Sequence, residues 1–258
     1  MVVGCNKIYC RPLGRTKDMD AQIQKIGDNT SMTVCIAALA ENGRKAVLVA
    51  DKLVSTTGIL PYQTDMAADK IIKITDEVAV LFAGGITDAT VIIENVKSMI
   101  TGSPTAKEIA DMINDEHLKY LMEILARSNI QGRGIESLER YYTDANLRLT
   151  DAIRNQIDNN LLTHTLSSNT NFIVCGKAPD GLYKVYFLNN NPRIIPALYT
   201  NSYSTIGSGW SYANFSLIQS QYDKSKTLDE VKEIVLRAKK ESEKDRDVGG
   251  QQDLIVLE

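Results

Sequence analysis

Histidine is nearly missing from this sequence: His117 and His164 are the only two among 258 residues. A Ser-His-Asp triad would have to recruit one of them, yet no Gly-x-Ser-x-Gly elbow occurs. His117 falls inside a helical pattern and His164 just after one, where a lone histidine packs or faces solvent. Any hydrolytic base is therefore expected to be something other than histidine. Cysteine is also scarce. Cys35 and Cys175 sit in apolar, strand-like runs where a free thiol behaves as a small hydrophobe. Cys5 and Cys10 have no further Cys or His pair nearby, so neither a metal site nor a cofactor is expected.

Other absences exclude further classes. No Walker A loop occurs, and no Gly-x-Gly-x-x-Gly follows a strand. Lys and Arg number 29 against 32 Asp and Glu, for a net charge of −3, and they are scattered, so no nucleic-acid partner is expected. No apolar run approaches the roughly 20 residues of a spanning helix, and the N-terminus lacks the apolar stretch of a secretion signal. The expectation is a cytoplasmic protein without a membrane partner. With 43% hydrophobic and 24% charged residues, the chain suits one globular domain with a substantial core.

What is present begins with a β-hairpin. Residues 34–40 and 46–50 are apolar, β-prone runs, and Glu41-Asn42-Gly43 between them supplies the positive-φ positions of a tight reversal. Pairing across that turn brings Thr33 beside Asp51. A third apolar strand opens at Ala67 and includes Lys70, and a fourth, from Glu77, ends in the double glycine Gly84-Gly85.

Helical spacing follows over Asp88–Met99. A second helix is expected from Pro104 to about Ala126, capped by Ser103, and a third from about Ile135 to Asn160. Residues 169–176 and 181–188 read as a second hairpin around Ala178-Pro179-Asp180-Gly181. A short strand at 194–198, helices at about 210–221 and 227–244, and a final strand at 253–258 complete the pattern. Strands and helices in segregated runs imply antiparallel sheets and an α+β fold. Residues 1–32 carry no strong period and read as a tail, a propeptide, or the product of a start codon placed ahead of Met32.

Thr33-Val34-Cys35-Ile36, Val49-Ala50-Asp51, Asp69-Lys70-Ile71 and Ala83-Gly84-Gly85-Ile86-Thr87-Asp88-Ala89, in that order, resemble the β-type subunits of the proteasome and its bacterial two-ring relatives. These are N-terminal nucleophile (Ntn) hydrolases. The resemblance is densest from Thr33 to about Ile93 and returns at Ile206-Gly207-Ser208-Gly209 and near the C-terminus. It implies a four-layer αββα sandwich over residues 33–258 with two antiparallel sheets.

The resemblance also assigns roles. Thr33, once freed from Met32, would be the nucleophile and supply its own amine as base. Lys70 and Asp51 would support it, Gly84 would donate its N–H to the oxyanion, and Ser208 would bond near the amine. The family usually places an Asp and, three residues on, a Ser near the end of its last helix. Here Asp245 matches the first, but Val248 stands at the second, and Asp247 is an alternative match. Val54, Phe82 and Ile86, with Ala68 and Ile72, would surround an apolar specificity pocket.

The implied function is a threonine peptidase acting on peptide or unfolded protein through an acyl-enzyme, in a homo-oligomeric ring; whether an ATPase or α-type partner joins it is left open. Two alternatives remain: a non-catalytic α-type ring subunit, or a small-molecule amidase of the same fold. Residues 1–32 lack the α-type runs Tyr-Asp-x-x-x-Thr-x-Phe-Ser-Pro and Gln-Val-Glu-Tyr-Ala, which favours the enzyme.

Overall fold

The computed structural model describes residues 33–56, 62–64, 69–144, 147–163, 169–191 and 197–258. The 1–32 segment, Ala68, His164 and most of the strand expected at 194–198 lie outside them. The described chain is α+β with antiparallel sheets.

Strand β1 (Cys35–Ala40) runs through a single 3-10 turn (Glu41–Gly43) into β2 (Lys45–Asp51). Glu41 and Asn42 take φ values of +52 and +60°, the left-handed backbone that matches the twist of the paired strands. Register pairs Cys35 with Ala50. The Asp51 N–H then donates to the Val34 carbonyl at 3.1 Å, which carries the pairing to the edge of Thr33.

Two short strands that have no legible alternation follow, β3 (Val54–Thr56) and β4 (Tyr62–Thr64), paired with each other. Strands β5 (Ile71–Lys73) and β6 (Val78–Ala83) precede helices α1 (Ile86–Met99) and α2 (Ala106–Asn129). The cap of α2 is Thr105, not Ser103: Thr105 and Glu108 exchange side-chain and backbone bonds in a capping box.

The helix expected over 135–160 is two helices, α3 (Leu138–Thr143) and α4 (Asp151–Thr163). Ser137 caps the first. Thr150 accepts the Ile153 N–H at the start of the second. The Tyr141 hydroxyl reaches Asp158 Oδ1 at 2.8 Å, so a contact formed by folding back replaces continuation of the helix.

Strands β7 (Asn171–Lys177), β8 (Tyr183–Leu188), β9 (Leu198–Thr200) and β10 (Tyr203–Ile206) lead to helices α5 (Trp210–Gln219) and α6 (Leu228–Ser242), and β11 (Gln252–Leu257) closes. One sheet has the order β10-β1-β2-β11 and the other β5-β6-β7-β8-β9.

Period-two alternation divides the core. Cys35, Ala37, Leu39, Leu48 and Ala50 of the first sheet share a buried cluster with Ala79, Leu81, Ala83, Ile173 and Val185 of the second. The intervening residues point the other way. Ile36, Ala38, Val47 and Val49 pack on Ala213 and Leu217 of α5 and on Val231, Val235 and Ala238 of α6. Val80, Phe82, Phe172 and Val174 pack on Ile92, Ile109 and Ile113 of α1 and α2.

Candidate active site

At the open end of the β1–β2 hairpin, the Thr33 hydroxyl is engaged from two sides: it donates to Asp51 Oδ1 and accepts from the ammonium of Lys70. All three side chains are buried, with Thr33 1%, Asp51 0% and Lys70 3% exposed. A lysine and an aspartate at such burial are stable only if each charge is neutralised and hydrogen-bonded.

Both conditions hold. Lys70 Nζ lies 3.0 Å from Asp51 Oδ1 and donates to the Leu53 carbonyl at 2.6 Å. Asp51 Oδ1 also receives the Val34 N–H at 2.9 Å. Oδ2 receives the N–H groups of Leu53 and Gly249, both at 3.1 Å. Lys70 is set in place by its own backbone, since its carbonyl accepts the Phe82 N–H from β6 at 3.2 Å.

A hydroxyl between a cation and a carboxylate has a partner that takes its proton's direction and another that stabilises the charge left behind. Here the Thr33 hydroxyl has its proton directed at the carboxylate and its oxygen against the ammonium. Residues 33–104 match the family model described as Proteasome subunit. This match supports a proteasome-like family for the segment that carries Thr33, Asp51, Lys70 and Gly84. No curated protein matches the chain.

Within the matched segment, Gly84 ends β6 at φ +124°, and a Cβ there would lie 1.8 Å from the Asn169 carbonyl oxygen. Only glycine lets the β6 end pass that backbone. Outside it, the turn after β10 closes over Thr33. Gly207 has φ +95°, and a Cβ on it would stand 2.1 Å from the Thr33 carbonyl oxygen. Ser208 Oγ accepts the Thr33 N–H at 3.4 Å, and the Gly209 N–H donates to the Thr33 carbonyl at 3.2 Å.

Among the described residues, the side chains of the remaining expected ones make no hydrogen bond to Thr33, Asp51 or Lys70. The Asp245 carboxylate accepts the N–H of Asp247 at 3.0 Å within its own turn, so the described bonds tie it to that turn and not to Thr33 or Ser208. Val248 is buried and packs with the α5–α6 cluster. Phe82 is 2% exposed, under α1 and α2. Its side chain is core rather than pocket lining, because even-numbered β6 positions face the helices. Ile72 and Ile86 pack against the edge of that same cluster, and Val54 is half-buried on β3.

Three other reactive groups stand apart from this chemistry. Cys35, two residues from Thr33, donates from Sγ to the Phe82 carbonyl at 3.1 Å. Burial drives its thiol far above the ordinary range, so it holds its proton. Burial likewise pushes the Cys175 thiol up to about 12. His117 lies on α2 with its ring edge-on to Phe172 at 5.5 Å, and burial lowers it to about 4, which leaves it neutral at pH 7. Among the described residues, no three His, Cys, Asp or Glu side chains gather as a metal ion would need.

Sequence reasoning missed the backbone partners of the pair: the Leu53 carbonyl on Lys70, and the Val34, Leu53 and Gly249 N–H groups on Asp51. The consecutive glycines Gly249 and Gly250 were the one available signal, since such a pair marks close backbone approach.

Proposed function

We propose that the chain is the precursor of a threonine peptidase of the proteasome-like Ntn class. Residues 33–258 would form a four-layer αββα sandwich, which the three apolar clusters between and outside the two sheets support. The carrying observation is the Thr33 hydroxyl held between Asp51 and the Lys70 ammonium.

In the uncut chain the Thr33 nitrogen is an amide and has no basic lone pair. Attack of Thr33 Oγ1 on the Met32 carbonyl carbon, followed by hydrolysis of the resulting ester, would release an α-amine. Such an amine has an ordinary pKa of about 7.7–8.0, so roughly a tenth to a sixth of it is neutral at pH 7. It takes the proton from Oγ1 as the oxygen attacks a substrate carbonyl. The Lys70 charge disfavours a protonated amine and favours the developing alkoxide. Asp51 holds Lys70, and the Gly84 N–H donates to the tetrahedral oxyanion. The amine then protonates the leaving nitrogen, and a water it activates hydrolyses the acyl ester.

Ser208, already on the Thr33 nitrogen, would orient the freed amine. With Phe82 buried, the half-buried Val54, Ile72 and Ile86 are the pocket candidates. Val248, where the resemblance expects a serine, favours a second reading, a non-catalytic ring subunit of the same fold. A small-molecule amidase would use the same nucleophile.

One set of variants separates these. The wild type is expected to cleave fluorogenic peptides, and Thr33→Ala and Lys70→Ala to lose that activity with unchanged circular dichroism. Thr33→Ser should retain part of it, because an oxygen and an amine remain on one residue. Full activity in Thr33→Ala overturns the proposal. A wild type inactive on peptides but active on small amides selects the amidase.

A further inference from the structure

We propose that Lys239 is a positioning residue for Asp51, acting through the backbone of Gly249. The inference rests on the reading of Thr33, Asp51 and Lys70 as the reacting group. Lys239 is on α6, beyond the segment matched to proteasome subunits, and its ammonium is buried with 0% exposure. An ammonium has three protons to place, and the fold supplies three acceptors: Glu243 Oε1 at 2.6 Å, the Gly249 carbonyl at 2.7 Å and the Gly250 carbonyl at 2.9 Å.

Those carbonyls belong to two consecutive glycines, the residues with the widest backbone freedom. The same Gly249 presents its N–H to Asp51 Oδ2 at 3.1 Å. Without an anchor, that N–H would wander and Asp51 would lose one of its three backbone donors. With Lys239 chelating the carbonyls on one side and the carboxylate on the other, the residue is fixed at both flanking peptides.

Val248 explains why an anchor is needed. A valine has no hydroxyl with which to hold this turn, and here it packs into the apolar cluster instead. A buried lysine also costs desolvation free energy that a purely structural tie could avoid with an apolar residue. The Glu243 charge offsets that cost, and the geometry delivered is a directed donor to the carboxylate that engages Thr33.

The test compares Lys239→Met, of similar length but apolar, with Lys240→Met. Lys240 lies on the same helix, is 77% exposed and pairs with the same Glu243. Amide exchange by NMR at Gly249, Val34 and Leu53, the three donors to Asp51, is read with kcat and KM on a peptide substrate. Lys239→Met should quicken Gly249 exchange about tenfold more than Val34 or Leu53 exchange. It should also lower kcat about 10- to 100-fold with KM within about twofold, as expected of a misplaced reacting group. Lys240→Met should leave both readouts near wild type.

In the folded variant, an unchanged Gly249 rate, equal acceleration at all three amides, or an unchanged kcat overturns the proposal. If the wild type hydrolyses nothing, the catalytic reading fails separately and the exchange pattern alone decides this one. If Lys239→Met does not fold, Lys239→Gln, too short to span both glycine carbonyls, should give the same Gly249-selective acceleration. Uniform or absent acceleration in that variant overturns the proposal.

Discussion

Asp51 and Lys70 are both buried, but they do not depend on each other equally. Removing the lysine leaves the carboxylate with the Val34, Leu53 and Gly249 N–H groups and the Thr33 hydroxyl. Removing the aspartate leaves an ammonium 3% exposed with one carbonyl, one hydroxyl and no opposite charge. Breaking a buried pair from the side that strands a charge costs about 3–5 kcal/mol. Asp51→Ala is therefore expected to lose about that much in urea unfolding, and Lys70→Met distinctly less. Equal losses would mean that Asp51 is held by its ion pair alone. Activity should vanish in both, so stability and not turnover carries this distinction.

Elements position these residues through close backbone approaches. The turn between β10 and α5 covers Thr33 only because Gly207 has no side chain, with a Cβ there 2.1 Å from the Thr33 carbonyl oxygen. Gly207→Ala should therefore displace Thr33 or the turn, destabilise the chain by more than the roughly 1 kcal/mol typical of a point mutation, and abolish hydrolysis. Near-normal turnover in that variant would show that the turn is not needed to hold the threonine.

The hairpin that brings Thr33 to Asp51 was legible because its alternation and its Glu41-Asn42-Gly43 reversal are local signals, and the same holds for the hairpin around Asp180. The split of the expected third helix was not, since it depends on Tyr141 reaching Asp158 after folding. Strands β3 and β4 have three residues each, too short for periodicity to register. Phe82 was misread as pocket lining because its sequence position does not reveal which face of β6 the helices cover. The bond from Gly249 to Asp51 joins residues 198 apart, and no local pattern encodes such a contact. Asp245 matched by spacing, and its carboxylate accepts the Asp247 N–H within its own turn.

At the scale of the molecule, α5 presents an unusual outer face. The ten-residue helix has no charged side chain, and Trp210, Tyr212, Phe215 and Ile218 are 53, 42, 62 and 67% exposed. Large apolar side chains exposed together on one short helix are a candidate interaction surface. Such a face suits docking against a second copy of the chain. Mass photometry should give a discrete oligomer, and Phe215→Asp should shift it to smaller species without loss of fold. A wild-type chain that is monomeric at micromolar concentration would contradict ring assembly.

The central claim concerns one nitrogen. Intact-mass and N-terminal sequencing of active protein, after reaction with an electrophilic peptide that traps nucleophiles, reads it directly. The account predicts a chain that begins at Thr33 and bears the adduct on that residue. An active chain that retains Met32, or that bears the adduct on another residue, would contradict it.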